Sequence, residues 1–182
     1  RNVQRGWRQH LGMDCANVLE HTMRVVWLAL IISKMEGKGD ESKILKMALV
    51  HDLPETRTSD LSYVQKVYIE ADEDKAANHL FADTSVSGFK EILKEYEDRE
   101  TIEAKIIKDA DNLDIDIELM ELEERGSKLP KKWNTDDNRK KVRNEKLYTE
   151  SAKKLWDDIQ NSDPASWHLK ANKWLKIPEA GK

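Results

Sequence analysis

The sequence contains little cysteine, glycine and proline, and each of these shortages excludes certain folds or kinds of site. A single cysteine, Cys15, excludes an internal disulfide and a zinc site built from several thiolates. The 182 residues include only 7 glycines and 4 prolines, whereas charged residues make up 36% of the chain. This composition favours long amphipathic helices over a protein built from strands and tight turns.

Long apolar runs and basic clusters are also missing. The apolar stretch at residues 25–32 is too short to cross a membrane, and the first five residues lack the apolar segment of a signal peptide. The net charge is -4, and lysine and arginine are spread along the chain, so no basic stripe indicates a nucleic-acid groove. We therefore predict a cytoplasmic protein with neither a membrane nor a nucleic-acid polymer as partner.

The hydrophobic pattern predicts an all-α fold, because apolar residues recur at intervals of three and four along most of the chain. We expect one domain over residues 1–182, with a core at about 17–125 and a helical C-terminal extension at about 135–177. The predicted helices are long ones at about 17–35, 40–53, 101–125 and 136–159, and short ones at 72–81 and 87–96.

The remaining segments give weaker signals. Residues 1–16 look irregular, residues 61–69 fit either a short helix or a β-like turn, and residues 128–134, which contain Pro130, are predicted as a linker. A last short helix is expected from Ser162 onward. It carries three large apolar residues, Trp167, Trp174 and Leu175.

One stretch, residues 49–56, places His51 and Asp52 side by side, with Glu55 within one helical turn. The apolar residues before and after the pair indicate a buried helix end. A charged Asp52 there is costly unless it is paired or bound to a metal ion. The alternative is a core histidine capped by its neighbour, and the pair alone does not decide between the two.

Two other helices carry polar residues at positions that otherwise belong to the core, namely His21 and Asp111. Each has an ordinary explanation alone, because a lone histidine on an apolar helix is usually a core residue and a mid-helix aspartate usually faces water. Together with His51 and Asp52, however, they supply two imidazoles and two carboxylates. That set suits a borderline or hard divalent metal ion.

Four motifs follow one another along about residues 5–122. They are Arg5-Gly6-Trp7, Glu20-His21-Thr22, His51-Asp52-Leu-Pro-Glu55-x-Arg-Thr58-Ser59-Asp60 and Glu103-Ala-Lys-x-x-Lys-Asp-Ala-Asp111. In this order they resemble the HD-domain metal-dependent phosphohydrolases, most closely the small single-domain branch that includes bacterial 5′-deoxynucleotidases. The chain departs from that pattern in two places. Ser59 stands where glycine is more usual, and Gly6 separates an Arg and a Trp that are adjacent in the deoxynucleotidases.

The resemblance implies an all-helical HD-type bundle that binds one divalent ion, which would be Mn, Co, Mg, Fe or Zn. The ligands that it implies are the first histidine, the His-Asp pair and the distant aspartate. In this sequence they are His21, His51, Asp52 and Asp111.

The resemblance also implies that Glu55 and Asp60 work beside the ion. Glu55 would orient or deprotonate the attacking water, and Asp60 would pass a proton to the leaving alkoxide. Arg5 suits a phosphate or a sugar edge, and Trp7 could stack on a base or form a wall beside the sugar. Without the resemblance, Glu55 and Asp60 would be interpreted as solvent-exposed loop carboxylates, and Trp7 as a core residue that packs against the first helix.

The expected function is the release of phosphate from nucleoside 5′-monophosphates, with a preference for the 2′-deoxy forms. Two alternatives stay open: a phosphodiesterase or nucleotide pyrophosphatase of the same superfamily, and a catalytically silent metal-binding module. We also expect a homodimer. The resembling family is usually dimeric, and the apolar C-terminal segment needs a surface to pack on.

Overall fold

The computed structural model describes residues 1–134 and 137–166, and within these ranges the chain is helical. No strand occurs there, and the single β-bridge joins Gln4 to Asn17. None of the described helices has the length and apolar character needed to span a membrane. The elements are α1 (Arg8–Leu11), α2 (Val18–Glu36), α3 (Glu41–Val50), α4 (Glu55–Thr58), a 3-10 turn (Gln65–Val67), α5 (Glu73–Phe81), α6 (Phe89–Asp98), α7 (Ile102–Glu124), α8 (Leu129–Trp133), α9 (Asn138–Glu145) and α10 (Glu150–Gln160).

Local capping fixes the starts of the two longest helices. The Asn17 side chain accepts hydrogen bonds from the amides of Leu19 and Glu20, and the Glu20 carboxylate accepts one from the Asn17 amide, which completes a capping box at α2. Thr101 caps α7 by accepting from the Ala104 amide. These caps fix where α2 and α7, the helices that carry His21 and Asp111, begin.

Helices α2, α3 and α7 pack together around the main hydrophobic core, and α10 covers it from the side. The side chains at its centre are fully buried aliphatic residues. A smaller cluster lies between α5 and α6 near the end of α3. The central core side chains include Val25, Ile32, Ile44, Met47, Ile106, Ile107 and Leu113.

Asp109, a fully buried residue of α7, joins the C-terminal part of the chain to the core. Its carboxylate accepts hydrogen bonds from the amides of Tyr148 and Thr149 at 2.7 and 2.8 Å and from the Thr149 hydroxyl at 2.7 Å. Thr149 is in turn the N-cap of α10. A charge on α7 therefore fixes the start of a helix 40 residues later in the chain.

The all-α prediction is confirmed, but several boundaries are wrong. Residues 8–11 form a short helix, α3 ends at Val50, and the segment at 61–69 contains a 3-10 turn rather than a β-like one. The predicted linker at 128–134 contains α8. The single helix predicted at 136–159 is two helices, α9 and α10, because Asp109 holds the amides at 148 and 149 outside any helix. Trp167, Trp174 and Leu175 lie outside the described residues.

Candidate metal centre

The eight site residues predicted from the sequence meet at one place. A pocket of about 740 Å³ opens between the N-terminal segment, the α3–α4 turn, α6, α7 and the C-terminal extension. His21 lies behind its wall, fully buried and in contact with Asp52 and Asp111. The other seven line the pocket: Arg5, Trp7, His51, Asp52, Glu55, Asp60 and Asp111.

The two histidines present the same nitrogen to a common point. The Nδ1 of His51 lies 2.7 Å from the Ala48 carbonyl oxygen, and the Nδ1 of His21 lies 2.6 Å from the Asp114 carboxylate. Because these partners can only accept, each Nδ1 carries a proton, which leaves Nε2 as the site that can bind a cation. Both Nε2 atoms are buried without a hydrogen-bond partner.

Two carboxylates complete the cluster. The Oδ2 of Asp52 lies 3.1 Å from the Nε2 of His21 and 3.3 Å from the Nε2 of His51, and an Asp111 oxygen lies 3.4 Å from the Nε2 of His21. Ligand atoms of His21, His51 and Asp111 all lie within 4.8 Å of one another, close enough to share one ion. Two imidazoles and two carboxylates at these separations fit a divalent cation.

The electrostatics of the cluster also favour a cation. Burial lowers the pKa of His21, but its contacts with the carboxylates of Asp111, Asp114 and Asp52 outweigh this effect and raise the pKa to about 11. Burial opposes the ionisation of Asp52 as well, yet the neighbouring imidazoles of His51 and His21 hold its pKa well below the usual range. Positive charge at the Nε2 atoms is therefore stabilised, and a divalent ion can supply it in place of a proton.

Asp114 is a functional candidate that the sequence reasoning missed. It is fully buried, orients His21 through Nδ1, and receives the Arg24 guanidinium at 2.5 Å on its other oxygen. Such a carboxylate–histidine pair fixes the tautomer and the ring orientation of a metal ligand. The available signal was spacing, since Asp114 follows Asp111 by three residues on the same helix and so shares its face.

We expect Asp114→Asn to weaken metal binding by about 10- to 100-fold, because the charge that orients the His21 ring and increases its basicity is lost. Calorimetric titration of metal-stripped protein with Mn²⁺ measures the change. Glu121→Gln is the matched control, because Glu121 also pairs with Arg24 but does not contact His21. Equal affinities in the Asp114→Asn variant and the wild type would rule out this orienting role.

The N-terminal segment brings Arg5 and Trp7 to the pocket. The Arg5 guanidinium lies 3.2 Å from Asp60 and 3.6 Å from Asp52, and its side chain is only 11% exposed. Gly6 is what allows this approach, since a Cβ at position 6 would collide with the backbone oxygen of Asp60 and the backbone nitrogen of Ser62. The glycine that separates Arg5 from Trp7 is thus a packing requirement of this chain.

Ser59, the other departure from the family pattern, has an unusual backbone. Its φ of 67° and ψ of 156° fall in a region that glycine occupies readily and other residues rarely do. A serine in this conformation costs on the order of 1 kcal/mol, which a glycine at the same position would avoid. This conformation turns the chain from α4 toward Asp60, which can then reach Arg5.

Glu55 is the first residue of α4 and lines the pocket, three positions after Asp52. One of its carboxylate oxygens is buried without a hydrogen-bond partner. Burial and the nearby charges of Asp52 and Asp60 raise the pKa of Glu55 to about 9. At this value the carboxyl is protonated at neutral pH, whereas a cation bound beside it would lower its pKa toward neutrality, where a general base works best.

Cationic and aromatic groups line the side of the pocket formed by α6 and α7. Lys108 lies 2.6 Å from Asp111 and holds the pKa of that carboxyl well below its usual range, against the effect of burial. The Arg99 guanidinium lies 3.4 Å from the centre of the Tyr96 ring, and that ring packs edge-on against His51. These contacts fix one face of His51 and one oxygen of Asp111.

Comparison with known proteins agrees with this fold and site. The sequence model of the HD-domain family matches residues 1–156. A Dictyostelium discoideum protein named 5′-deoxynucleotidase HDDC2 is 33% identical over 140 residues, which cover 70% of this chain and 73% of that protein. A Danio rerio protein of the same name is 31% identical over 125 residues, covering 65% of this chain and 62% of that relative.

Solved structures of similar fold come from two archaea. A conserved hypothetical protein from Pyrococcus furiosus aligns with a TM-score of 0.68 and 25% identity over 86% of this chain and 90% of that one. The PH0347 protein from Pyrococcus horikoshii aligns with a TM-score of 0.64 and 26% identity over 85% of this chain and 87% of that one.

These matches define the class of the protein. The chain belongs to the HD-domain family. Within that family its curated relatives carry the name 5′-deoxynucleotidase, and the predicted HD-type resemblance is confirmed.

Proposed function

We propose that this chain is a metal-dependent phosphohydrolase that releases phosphate from nucleoside 5′-monophosphates, with a preference for the 2′-deoxy forms. The observation that carries the proposal is the pocket of about 740 Å³, at whose wall the two Nε2 atoms and two carboxylates lie close together and near Glu55 and Arg5. A volume of this size accommodates a nucleotide. The names of the relatives support the same reaction.

We assign one divalent ion to His21, His51, Asp52 and Asp111, with Mn²⁺ or Co²⁺ supporting activity well. The support is the pair of unpartnered Nε2 atoms and the two carboxylates within 3.1 to 3.4 Å of them. Such an ion lowers the pKa of a bound water and withdraws charge from phosphoryl oxygens.

The side chains around the ligands have separate roles in this proposal. Glu55 orients the attacking water and accepts its proton once the neighbouring cation has lowered the pKa of its carboxyl toward neutrality. Arg5 offers bidentate donors to a phosphate oxygen or a sugar edge. Asp60 passes to the leaving alkoxide the proton that was taken from the attacking water. Its ion pair with Arg5 holds both groups at the pocket wall until a phosphate competes for the guanidinium.

A phosphate monoester fits this charge distribution better than a polyphosphate or a nucleic acid. The two cations nearest the candidate metal site are paired already, Arg5 with Asp60 and Lys108 with Asp111, so neither is free to neutralise a second phosphate there. Trp7 supplies a flat apolar surface on the same side of the pocket as Arg5, which suits a base and a sugar without its 2′-hydroxyl.

A substrate panel tests this proposal against its rivals. Metal-loaded protein is assayed for phosphate release from deoxy- and ribonucleoside 5′-monophosphates, and for cleavage of cyclic nucleotides and guanosine polyphosphates. The expected result is release from the monophosphates, fastest with the deoxy forms. If the protein cleaves a diester or a polyphosphate but no monophosphate, the monoesterase proposal is wrong and only the superfamily assignment stands. If it cleaves none of these compounds, the catalytically silent metal-binding module is favoured.

We also propose a homodimer and a cytoplasmic location. The single cysteine supports a reducing compartment. The dimer is supported by an exposed apolar stripe along α2, whose members are spaced by four residues and are 42% to 63% exposed. Such a stripe marks a surface for association. Its members are Leu19, Met23, Trp27, Ile31 and Met35.

Trp27→Glu is expected to convert the dimer to a monomer, because it places a charge at the centre of the stripe. Light scattering at micromolar concentration measures the change. Tyr68→Glu is the control, since Tyr68 is 83% exposed but lies at the end of the 3-10 turn rather than on α2. A monomeric wild-type protein would exclude the proposed dimer.

A further inference from the structure

The chain from α8 onward, which begins at Leu129 rather than at about residue 135 as predicted and is called the extension below, forms one wall of the pocket that holds the candidate metal centre. Side chains from both α8 and α9 face this pocket. Among them, the Trp133 ring stacks on the Trp7 ring with a centroid distance of 5.6 Å and an interplanar angle of 19°. The extension therefore touches the residue that we assign to the substrate's sugar and base.

Three contacts fix the position of Trp7. Gly6 packs against the backbone of the loop at Asp60–Ser62, the Arg5 guanidinium lies 5.9 Å from the centre of the Trp7 ring, and Trp133 stacks on it. The Arg5 contact lies within the N-terminal segment, and the loop at Asp60–Ser62 holds the backbone at Gly6, one residue before Trp7. Trp133 is the residue from the C-terminal part of the chain that contacts the Trp7 ring itself.

Trp133 is itself held in place by polar contacts within the extension and to α7. Its backbone oxygen accepts a hydrogen bond from the Asn138 side chain, and the Asn134 side chain accepts one from the Arg139 amide, so α8 is tied to α9. The Arg139 guanidinium makes two hydrogen bonds to Asp116 on α7, at 2.8 and 2.5 Å, with both side chains largely buried. A bidentate pair of this kind has a defined geometry.

We propose that Trp133 is a specificity-determining residue that positions Trp7, so that the two rings together form the apolar wall on which the nucleoside packs. This inference rests on the proposed function. The two rings are already in contact, so a base cannot insert between them and packs against a free face or edge of the pair. The extension thereby determines how closely Trp7 approaches the sugar.

This arrangement predicts which substrates depend on Trp133. A nucleotide uses the wall, whereas p-nitrophenyl phosphate presents the same phosphoryl group without a nucleoside. Truncating Trp133 should therefore change recognition of nucleotides and leave turnover of the small ester unchanged. A residue that only stabilises the fold would affect both substrates alike.

The experiment compares Trp133→Ala, Trp133→Phe and Lys131→Ala with the wild type, all metal-loaded, on deoxy- and ribonucleoside 5′-monophosphates and on p-nitrophenyl phosphate. For Trp133→Ala we expect KM for deoxynucleotides to rise about tenfold and the deoxy-to-ribo preference to shrink, since one aromatic stacking contact is lost. Trp133→Phe should recover most of both. Lys131 lies on the same helix but pairs with Glu123 outside this pocket, so its variant should match the wild type.

The outcomes separate this inference from the function on which it rests. Unchanged KM and preference in Trp133→Ala, with an active wild type, overturns the inference alone. An equal loss on nucleotides and on p-nitrophenyl phosphate also overturns it, because that pattern reports a structural role. A wild-type protein that cleaves p-nitrophenyl phosphate but no mononucleotide overturns the proposed function and the inference together.

Discussion

Asp111→Ala is expected to lose the bound divalent ion and nearly all phosphate release. The Asp111 side chain is only 14% exposed and lies 3.4 Å from the Nε2 of His21. Without it, one carboxylate and two imidazoles remain, and Lys108 loses the partner that lies 2.6 Å away. Because removing even an outer partner of a ligand costs about 10- to 100-fold, loss of a ligand should cost more than about 100-fold in activity. Elemental analysis and a phosphate-release assay measure the two effects.

Asp109→Ala is the matched control for this prediction. Asp109 lies on the same helix two positions earlier, but its carboxylate binds Tyr148 and Thr149 rather than the metal site. We expect its loss to lower the free energy of unfolding by about 1–3 kcal/mol, because buried donors lose their acceptor, and to leave the metal content unchanged. The reverse pattern, with metal retained in Asp111→Ala and lost in Asp109→Ala, would show that the site is misassigned.

Glu55→Gln is expected to keep the metal ion and lose most turnover, by about 100-fold or more if Glu55 is the general base. The amide preserves the size of the side chain but cannot accept the proton of the attacking water. The effect should appear in kcat at saturating substrate, because none of the proposed ligands is changed. Steady-state kinetics together with elemental analysis on the same preparation measures both quantities.

Glu73→Gln is the control for Glu55→Gln. Glu73 also lines the pocket, and burial raises its pKa as well, but it has no proposed catalytic role. Its variant should therefore turn over substrate like the wild type. If Glu55→Gln were as active as wild type, another group would have to accept the proton, and the proposed role of Glu55 would be wrong.

The main helices and the candidate ligands could be predicted because their signals are local. The capping box at Asn17 and the glycine at position 37 define α2 within a few residues of sequence. His51 and Asp52 are adjacent in the chain and interrupt an apolar run, so a buried polar group is visible in the sequence itself. The spacing within α7 likewise places Asp111 on a core face.

What could not be predicted depends on contacts between distant parts of the chain. The Asp109 carboxylate accepts hydrogen bonds from backbone amides 39 and 40 residues later in the chain. This contact separates the helix predicted at 136–159 into two helices. Spacing places Asp114 on the same face of α7 as Asp111, but its partner, His21, lies 93 residues away and is known only from the structure. Trp133 likewise reaches the pocket because Arg139 joins α9 to Asp116 on α7. No sequence pattern near these residues indicates their partners.

The most direct test of the account is to remove all metal from the wild-type protein with a chelator and then add Mn²⁺ back in measured steps. Phosphate release from a 2′-deoxynucleoside 5′-monophosphate, bound metal and the thermal unfolding midpoint are followed together. We predict that activity is lost on stripping and returns in proportion to bound Mn²⁺, reaching a plateau at one ion per chain. The unfolding midpoint should rise in parallel, because the ion binds only the folded state. Full activity in the stripped protein, or saturation with Mn²⁺ at one ion per chain without any phosphate release, would contradict it.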